Sequence, residues 1–233
     1  LGGLAKRIKA KISIPYGDIP NFPVSTVSGL HAGNLILGEL SGRKVVAMEG
    51  RVHFYEGYTM KEVTFPVRVI RALGAETLII TNAVGGLNPT FREGELFLTT
   101  DHINWMGGLS SRHQNLIAPC PLRQAHLYDE PMSNVALQVA VNESFNAWPG
   151  TYLATLGPTY ETRSEYRMMR RIGADVAGMS TVPEVLAATD EKMRILGLSL
   201  VSNVANPDQA VKADHTEVLQ AGRAAEVKME AIV

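Results

Sequence analysis

Short runs rich in apolar and β-branched residues recur along the chain and predict strands over Leu35–Leu40, Lys44–Met48, Glu76–Asn82, Leu96–His102, Thr151–Leu156, Asp175–Met179 and Ile195–Asn203. Between several of them the apolar period changes to that of a helix. Glu62–Leu73 puts Val63, Val67, Ile70 and Leu73 near one face and stops at Gly74, and Glu161–Ile172 stops at Gly173, each glycine in the place where helices end. Ser133–Ala147 and Ala213–Ile232 predict two more helices. This alternation predicts an α/β fold: a single layered domain over residues 1–233, with a central mixed, largely parallel sheet flanked by helices. In such folds ligands sit at the carboxyl ends of strands, so those ends are the places to look for chemistry. Gly107–Pro131 mixes Gly, Pro, Ser, Arg and His without period, and a loop of that length is functional or mobile.

Composition narrows the partners. With 45% hydrophobic and 19% charged residues and a net charge of -1, the chain has the balance of a globular protein and no basic excess for nucleic acid. No apolar run approaches the roughly 20 residues that cross a bilayer, and the opening Leu1-Gly2-Gly3-Leu4-Ala5-Lys6-Arg7 lacks the form of a signal peptide. The expectation is a cytoplasmic protein with no membrane partner. Cys120, the only cysteine, cannot form an internal disulfide, and the histidines at 31, 53, 102, 113, 126 and 215 show no metal-ligand spacing, so no metal is expected.

The strand ends carry unusual polarity. Met48-Glu49-Gly50-Arg51-Val52-His53-Phe54-Tyr55 follows the apolar Val45-Val46-Ala47, and in extended backbone Arg51, His53 and Tyr55 share one side. A guanidinium fork beside an imidazole suits a phosphate, while the same spacing also fits a solvated surface strand. In Asn82-Ala83-Val84-Gly85-Gly86 the paired glycines fit either an anion-binding nest or a plain tight turn. Gly157-Pro158-Thr159-Tyr160-Glu161 breaks a strand and sets an aromatic ring beside a carboxylate, although an acid at a helix start also has a dipole explanation. Gly178-Met179-Ser180-Thr181-Val182-Pro183 leads from a strand into a helix and fits a capped start. It lacks the second glycine of G-x-S-x-G, which excludes that serine-hydrolase motif. Asn203 closes the last strand, with His215 beyond it.

Taken in order, MEGRVHFYEGY, TNAVGGLNP, GPTYETRSE, GMSTVPEV and SNVANPDQAVKADHTEV resemble the purine nucleoside phosphorylases of the trimeric class, from about Gly29 to the C-terminus except across Ser110–Met132. That resemblance implies phosphorolysis of purine ribonucleosides and deoxyribonucleosides to free base and sugar 1-phosphate, by a homotrimer with inorganic phosphate as co-substrate and no cofactor. It assigns phosphate binding to His31, Arg51, His53, Ser180 and the backbone N–H of Ala83. The purine falls to Tyr160, Glu161, Ala177 and Asn203, and the ribose to Tyr55, Met179 and His215, with Glu161, Asn203 and His53 carrying catalysis. A carboxylate facing N1–H favours inosine and guanosine over adenosine. Two family features depart from the pattern. The chain opens Leu1-Gly2-Gly3 where the family has a Gly-Ser-Gly turn with a phosphate-binding serine, and no Phe stands between Leu98 and Ser144 where the family has a Phe-bearing loop. Tyr128 is the candidate substitute for that ring. The rival readings are a methylthioadenosine phosphorylase, which generally carries Asp and Ser in place of Glu161, Asn203 and His215, a hydrolytic nucleosidase, and a nucleoside-binding protein without catalysis.

Overall fold

The computed structural model describes residues 3–26, 33–106, 126–206, 208 and 225–233. A five-residue helix α1 (Gly3–Arg7) leads into an antiparallel sheet, β1 (Lys9–Pro15), β2 (Asn34–Leu40) and β3 (Arg43–Glu49), with β2 in the middle. Helix α2 (Met60–Ala72) follows, its N-terminus capped by Thr59 and Glu62, each accepting from the other's backbone N–H. The rest of the sheet strands, β4 (Thr77–Gly86), β5 (Leu96–Asn104), β6 (Ala147–Ala154), β7 (Val176–Gly178) and β8 (Arg194–Val204), close into a barrel in the order β4-β7-β6-β5-β8. Helices α3 (Glu130–Asn142), α4 (Arg163–Arg171), α5 (Val182–Asp190) and α6 (225–232) complete the described chain.

The fold is α/β with a central mixed sheet, and its detail departs from the expectation in two ways. The sheet closes on itself, with β4-β8, β5-β6 and β6-β7 parallel and β4-β7 and β5-β8 antiparallel. A second, wholly antiparallel sheet stands before it, and its first strand has no apolar run to announce it. Lys9-Ala10-Lys11-Ile12-Ser13-Ile14-Pro15 is short and rich in polar residues, and a bulge between Lys9 and Ile12 displaces its register.

Alternation along the strands separates two cores. Val84, Phe97, Tyr152, Ala154, Val176 and Val201 pack together, with every barrel strand contributing, and so fill the barrel. Leu96 and Leu98, on either side of Phe97, join Leu196, Leu198 and Leu200 outside it, under Ala136 of α3 and Ala225 and Met229 of α6. A third cluster, with Tyr16, Leu35, Val67, Ile80, Val185 and Ile195, fastens the antiparallel sheet and α2 to β4, α5 and β8. Among the described residues no helix is long and apolar enough to cross a membrane.

Candidate active site

The carboxyl ends of β4, β6, β7 and β8 meet at one place. Gly85 of β4 is level with Ala177 of β7 and with Asn203 of β8, and Ala154 at the end of β6 is level with Gly178 at the end of β7. The Gly85-Gly86 pair is therefore strand rather than turn, correcting the nest reading. Gly86 serves close packing, since a Cβ there would come 3.1 Å from Val201 Cγ1, whereas one on Gly85 would meet Asn203 Nδ2 at an ordinary 3.7 Å. Ala83, expected just past the strand, lies inside β4 opposite Leu200. The hydroxyl of Ser202 lies 3.1 Å from both the Val84 carbonyl and Asn203 Oδ1, with one hydrogen to give between them.

Arg51 and His53 follow β3, but the extended spacing predicted for them does not persist. Gly50 has φ 122, and Phe54–Glu56 form a turn of 3-10 helix. Tyr55 nevertheless lies with His53, because the turn stacks the two rings with centroids 4.9 Å apart and planes at 11°. Arg51 donates from Nε to Glu184 Oε1 and from Nη1 to the Thr81 carbonyl, both over 2.9 Å. Among the described residues one Nη1 hydrogen and both on Nη2 have no acceptor, so the outer fork of the guanidinium, not its Nε side, is the end with donors to spare.

Glu56 organises the histidine. Its carboxylate accepts from the backbone N–H of His53 and Thr26, over 2.7 Å each, and from the Ser25 hydroxyl over 2.9 Å, and it lies 3.3 Å from His53 Nδ1. Burial, and then the Arg51 guanidinium, hold the imidazole below the ordinary histidine pKa against the pull of Glu56. In the neutral ring so favoured, a hydrogen on Nδ1 facing Glu56 leaves Nε2 as the acceptor nitrogen.

Glu161 differs from its dipole explanation. Thr162, with φ -72 and ψ 164, is the N-cap of α4, and Glu165 completes the capping box, so Glu161 stands outside the helix. Its Oε1 accepts from the Thr155 hydroxyl over 3.2 Å. Burial pushes its carboxyl up from the usual range, against the hydrogen bonds it receives from its own backbone N–H and from Thr155. Tyr160 beside it is 48% exposed. Thr155 N donates to the Gly178 carbonyl over 2.8 Å, fixing this segment to the end of β7.

Ser180 is buried at the start of α5. The preceding Met179 faces Gly157, where an added methyl would collide with its Sδ and come 3.1 Å from Tyr55 Cδ1. Contacts thus run without a break from His53 through Tyr55 to Gly157 and Met179, and from β7 through Gly85 to Asn203. The next residue, Thr181, has φ 72 and ψ -57, and the Val182 N–H donates to the Ser180 carbonyl over 2.8 Å. That is a γ-turn on a β-branched residue, a strained form costing about 1–3 kcal/mol that concentrates at functional sites.

His31 and His215 lie outside the described residues. Ala177 is buried on β7 at 5% exposure. Tyr128 is not a covering ring: it is buried at 4% with its hydroxyl 3.0 Å from His102 Nδ1, held among the apolar residues that join the two sheets. Sequence reading missed Glu184, Glu56 and Thr155, the partners that aim Arg51, His53 and Glu161. Glu184 was the most accessible of these, as the fourth residue of a T-x-x-E capping box opened by Thr181. Among the described residues no group of three His, Cys, Asp or Glu side chains could hold a metal ion.

Comparison with known proteins adds three findings. The model of the phosphorylase superfamily matches residues 1–233. The chain is 48% identical over 223 residues to purine nucleoside phosphorylase 1 of Bacillus subtilis, covering 94% of this chain and 82% of that protein. It is 44% identical over 245 residues to the purine nucleoside phosphorylase of Rattus norvegicus, covering 100% and 83%. Among solved structures it resembles a Schistosoma mansoni purine nucleoside phosphorylase in complex with inosine, with a TM-score of 0.89 and 40% identity, covering 98% of this chain and 85% of that one.

Proposed function

The chain belongs to the phosphorylase superfamily and, within it, to the purine nucleoside phosphorylases, and from that premise we propose which of its residues carry the reaction. It is an enzyme that cleaves the N-glycosidic bond of purine nucleosides with phosphate, giving purine base and pentose 1-phosphate. Residues 1–233 act as one catalytic unit, in a homotrimer, in the cytoplasm, with phosphate as co-substrate and no cofactor.

Phosphate lies against the outer fork of Arg51, the imidazole of His53 and the hydroxyl of Ser180, with the Ala83 N–H and His31 as further ligands. Ribose lies between Tyr55 and Met179, with His215 at its 5′ end. Purine lies by Ala177 and Tyr160, its N1–H on Glu161 and its N7 on Asn203. As the bond to C1′ breaks, positive charge grows on the sugar and negative charge on the leaving purine, as in other reactions with an oxocarbenium-like transition state. The phosphate anion stabilises the first and then forms the new bond to C1′. Asn203 Nδ2 donates to N7 and stabilises the second.

The observation supporting this arrangement is the stack of Tyr55 on His53 with its edge at Gly157, a run of contacts from the proposed anion ligands to the segment that carries Tyr160 and Glu161. Inosine turnover followed as hypoxanthine release with and without phosphate tests it. Hypoxanthine and ribose 1-phosphate are expected in equal amounts with phosphate, and neither in its absence. Release without phosphate would make the protein a hydrolase, and binding without release would make it a nucleoside-binding protein. Faster phosphorolysis of methylthioadenosine than of inosine would favour the methylthioadenosine enzyme.

The raised pKa of Glu161 has a direction in activity. The carboxylate that accepts N1–H is lost as pH falls through that raised value, so kcat/KM for inosine declines on the acid side at higher pH than an ordinary glutamate would cause. Comparing the pH profiles of the wild type and Glu161→Gln at saturating phosphate checks this. The portion of the acid limb due to Glu161 is absent from the variant, and kcat/KM for adenosine relative to inosine rises, because a carboxamide can donate to the bare N1 of adenine.

A further inference from the structure

Behind Ser180 lies a chain of buried hydrogen bonds whose polarity can be read from one end. Tyr152, fully buried inside the barrel, places its hydroxyl 3.1 Å from the Ser180 carbonyl, to which its hydrogen is given, and accepts from the Ser180 N–H over 3.3 Å. With that hydrogen used, the phenol oxygen shows only lone pairs to Asn82, whose Nδ2 lies 3.4 Å away. The amide nitrogen, not the oxygen, must therefore face this side. The same Nδ2 donates to Thr181 Oγ1 over 2.6 Å. Ser180 Oγ lies 3.5 Å from Thr181 Oγ1, and either hydroxyl could be the donor between them. When Thr181 gives its hydrogen to Ser180, Ser180 accepts from inside the protein and has its own hydrogen left for an acceptor outside.

Two further features mark this chain as unusual. Asn82 Oδ1 is buried and has no hydrogen-bond partner among the described residues, an arrangement that proteins seldom tolerate without a reason. Thr181 is held in the left-handed γ-turn that brings its hydroxyl between Asn82 and Ser180, with its N–H bonded to Glu184 Oε2 over 2.9 Å.

We propose that Asn82 and Thr181 are positioning residues that set the direction of the Ser180 hydroxyl, so that it serves as a donor to the phosphate co-substrate. This rests on Ser180 being a phosphate ligand. An anion needs donors, and a serine hydroxyl free to rotate would spend part of its time donating back to Thr181; the relay removes that alternative.

The test compares Ser180→Ala, Thr181→Val, Thr181→Ser and the double variant Ser180→Ala/Thr181→Val in steady-state phosphorolysis of inosine, with thermal unfolding as a control for folding. Thr181→Val keeps shape and β-branching and removes only the oxygen. It is expected to raise the KM for phosphate about tenfold, with the KM for inosine changed less than twofold. Thr181→Ser is expected to recover at least half of that loss, and the double variant to be no worse toward phosphate than Ser180→Ala alone, because the relay has nothing left to orient. If Ser180→Ala leaves the phosphate KM unchanged, the assignment of Ser180 as ligand is wrong. If Ser180→Ala raises it but Thr181→Val does not, or if the two losses multiply, Ser180 remains a ligand and the relay is overturned. Should Thr181→Val fail to fold, Asn82→Asp decides. Its carboxylate accepts from Thr181 and reverses the chain, and an unaltered phosphate KM in that variant overturns the proposal.

Discussion

Asn203→Ala is expected to lower kcat for inosine phosphorolysis by roughly 10²–10³-fold, the range found when one preorganised donor to a developing negative charge is removed. The KM for phosphate should stay within about twofold. In the ground-state nucleoside N7 is a neutral acceptor of modest strength, and only as the glycosidic bond stretches does the purine draw in electrons and turn N7 into a strong one. An interaction that strengthens in this way acts on kcat more than on binding. Placement in the protein supports the role, because Asn203 is level with Gly85 where the strand ends meet and its Oδ1 lies 3.1 Å from Ser202 Oγ. Asn203→Asp separates chemistry from packing. It has nearly the same volume and no hydrogen to donate in its charged form, so it should lose as much as the alanine variant. Full activity in Asn203→Asp, measured by hypoxanthine release in single-turnover and steady-state experiments, would remove Asn203 from the reaction.

Arg51→Met carries the second large effect, on two quantities at once. Arg51 and Glu184 form an ion pair at 2.9 Å, with side chains 19% and 11% exposed. Removing the guanidinium leaves the Glu184 carboxylate buried with the Thr181 N–H as its remaining protein donor in the described hydrogen-bond network. Breaking one side of such a pair costs about 3–5 kcal/mol of stability, and the loss of a phosphate ligand should raise the phosphate KM by more than tenfold. A second substitution parts the two effects. Glu184→Gln added to Arg51→Met neutralises the stranded charge while still accepting from Thr181, so urea unfolding should show most of the stability restored. The phosphate KM should remain as poor as in the single variant. Recovery of phosphate affinity along with stability would mean that Arg51 acts on the anion only by holding the fold.

Much of the framework was legible because apolar period and punctuation agree with it. The predicted strands at 35–40, 44–48, 96–102 and 195–203 all lie within β2, β3, β5 and β8, and the predicted helix at 62–73 overlaps α2. What escaped had tertiary causes. Paired glycines mark turns when only neighbours in sequence count, but Gly86 is demanded by Val201 and Val204 on an adjacent strand. The common side of His53 and Tyr55 was read from extended backbone, whereas a 3-10 turn and ring stacking produce it. Arg51 and Glu184 are separated by 133 residues, and no local pattern announces that pairing. Barrel closure was hidden for the same reason. A parallel run such as β6-β7 has the same periodicity in an open sheet as in a closed one. For Glu161 the sequence allowed two explanations, and the cap at Thr162 removed the helical one.

The strand that seals the barrel is also the last of the described strands to be synthesised. Until β8 inserts between β4 and β5, each of those strands keeps an unpaired edge, and Asn203 has no Gly85 beside it. A nascent chain stopped before residue 194 therefore holds Arg51, His53, Glu161 and Ser180 but lacks Asn203, so the proposed donor to N7 arrives only with the strand that closes the barrel. Closure of contacts so distant along the chain is slow, and until it happens those edges stay open to pairing with other chains.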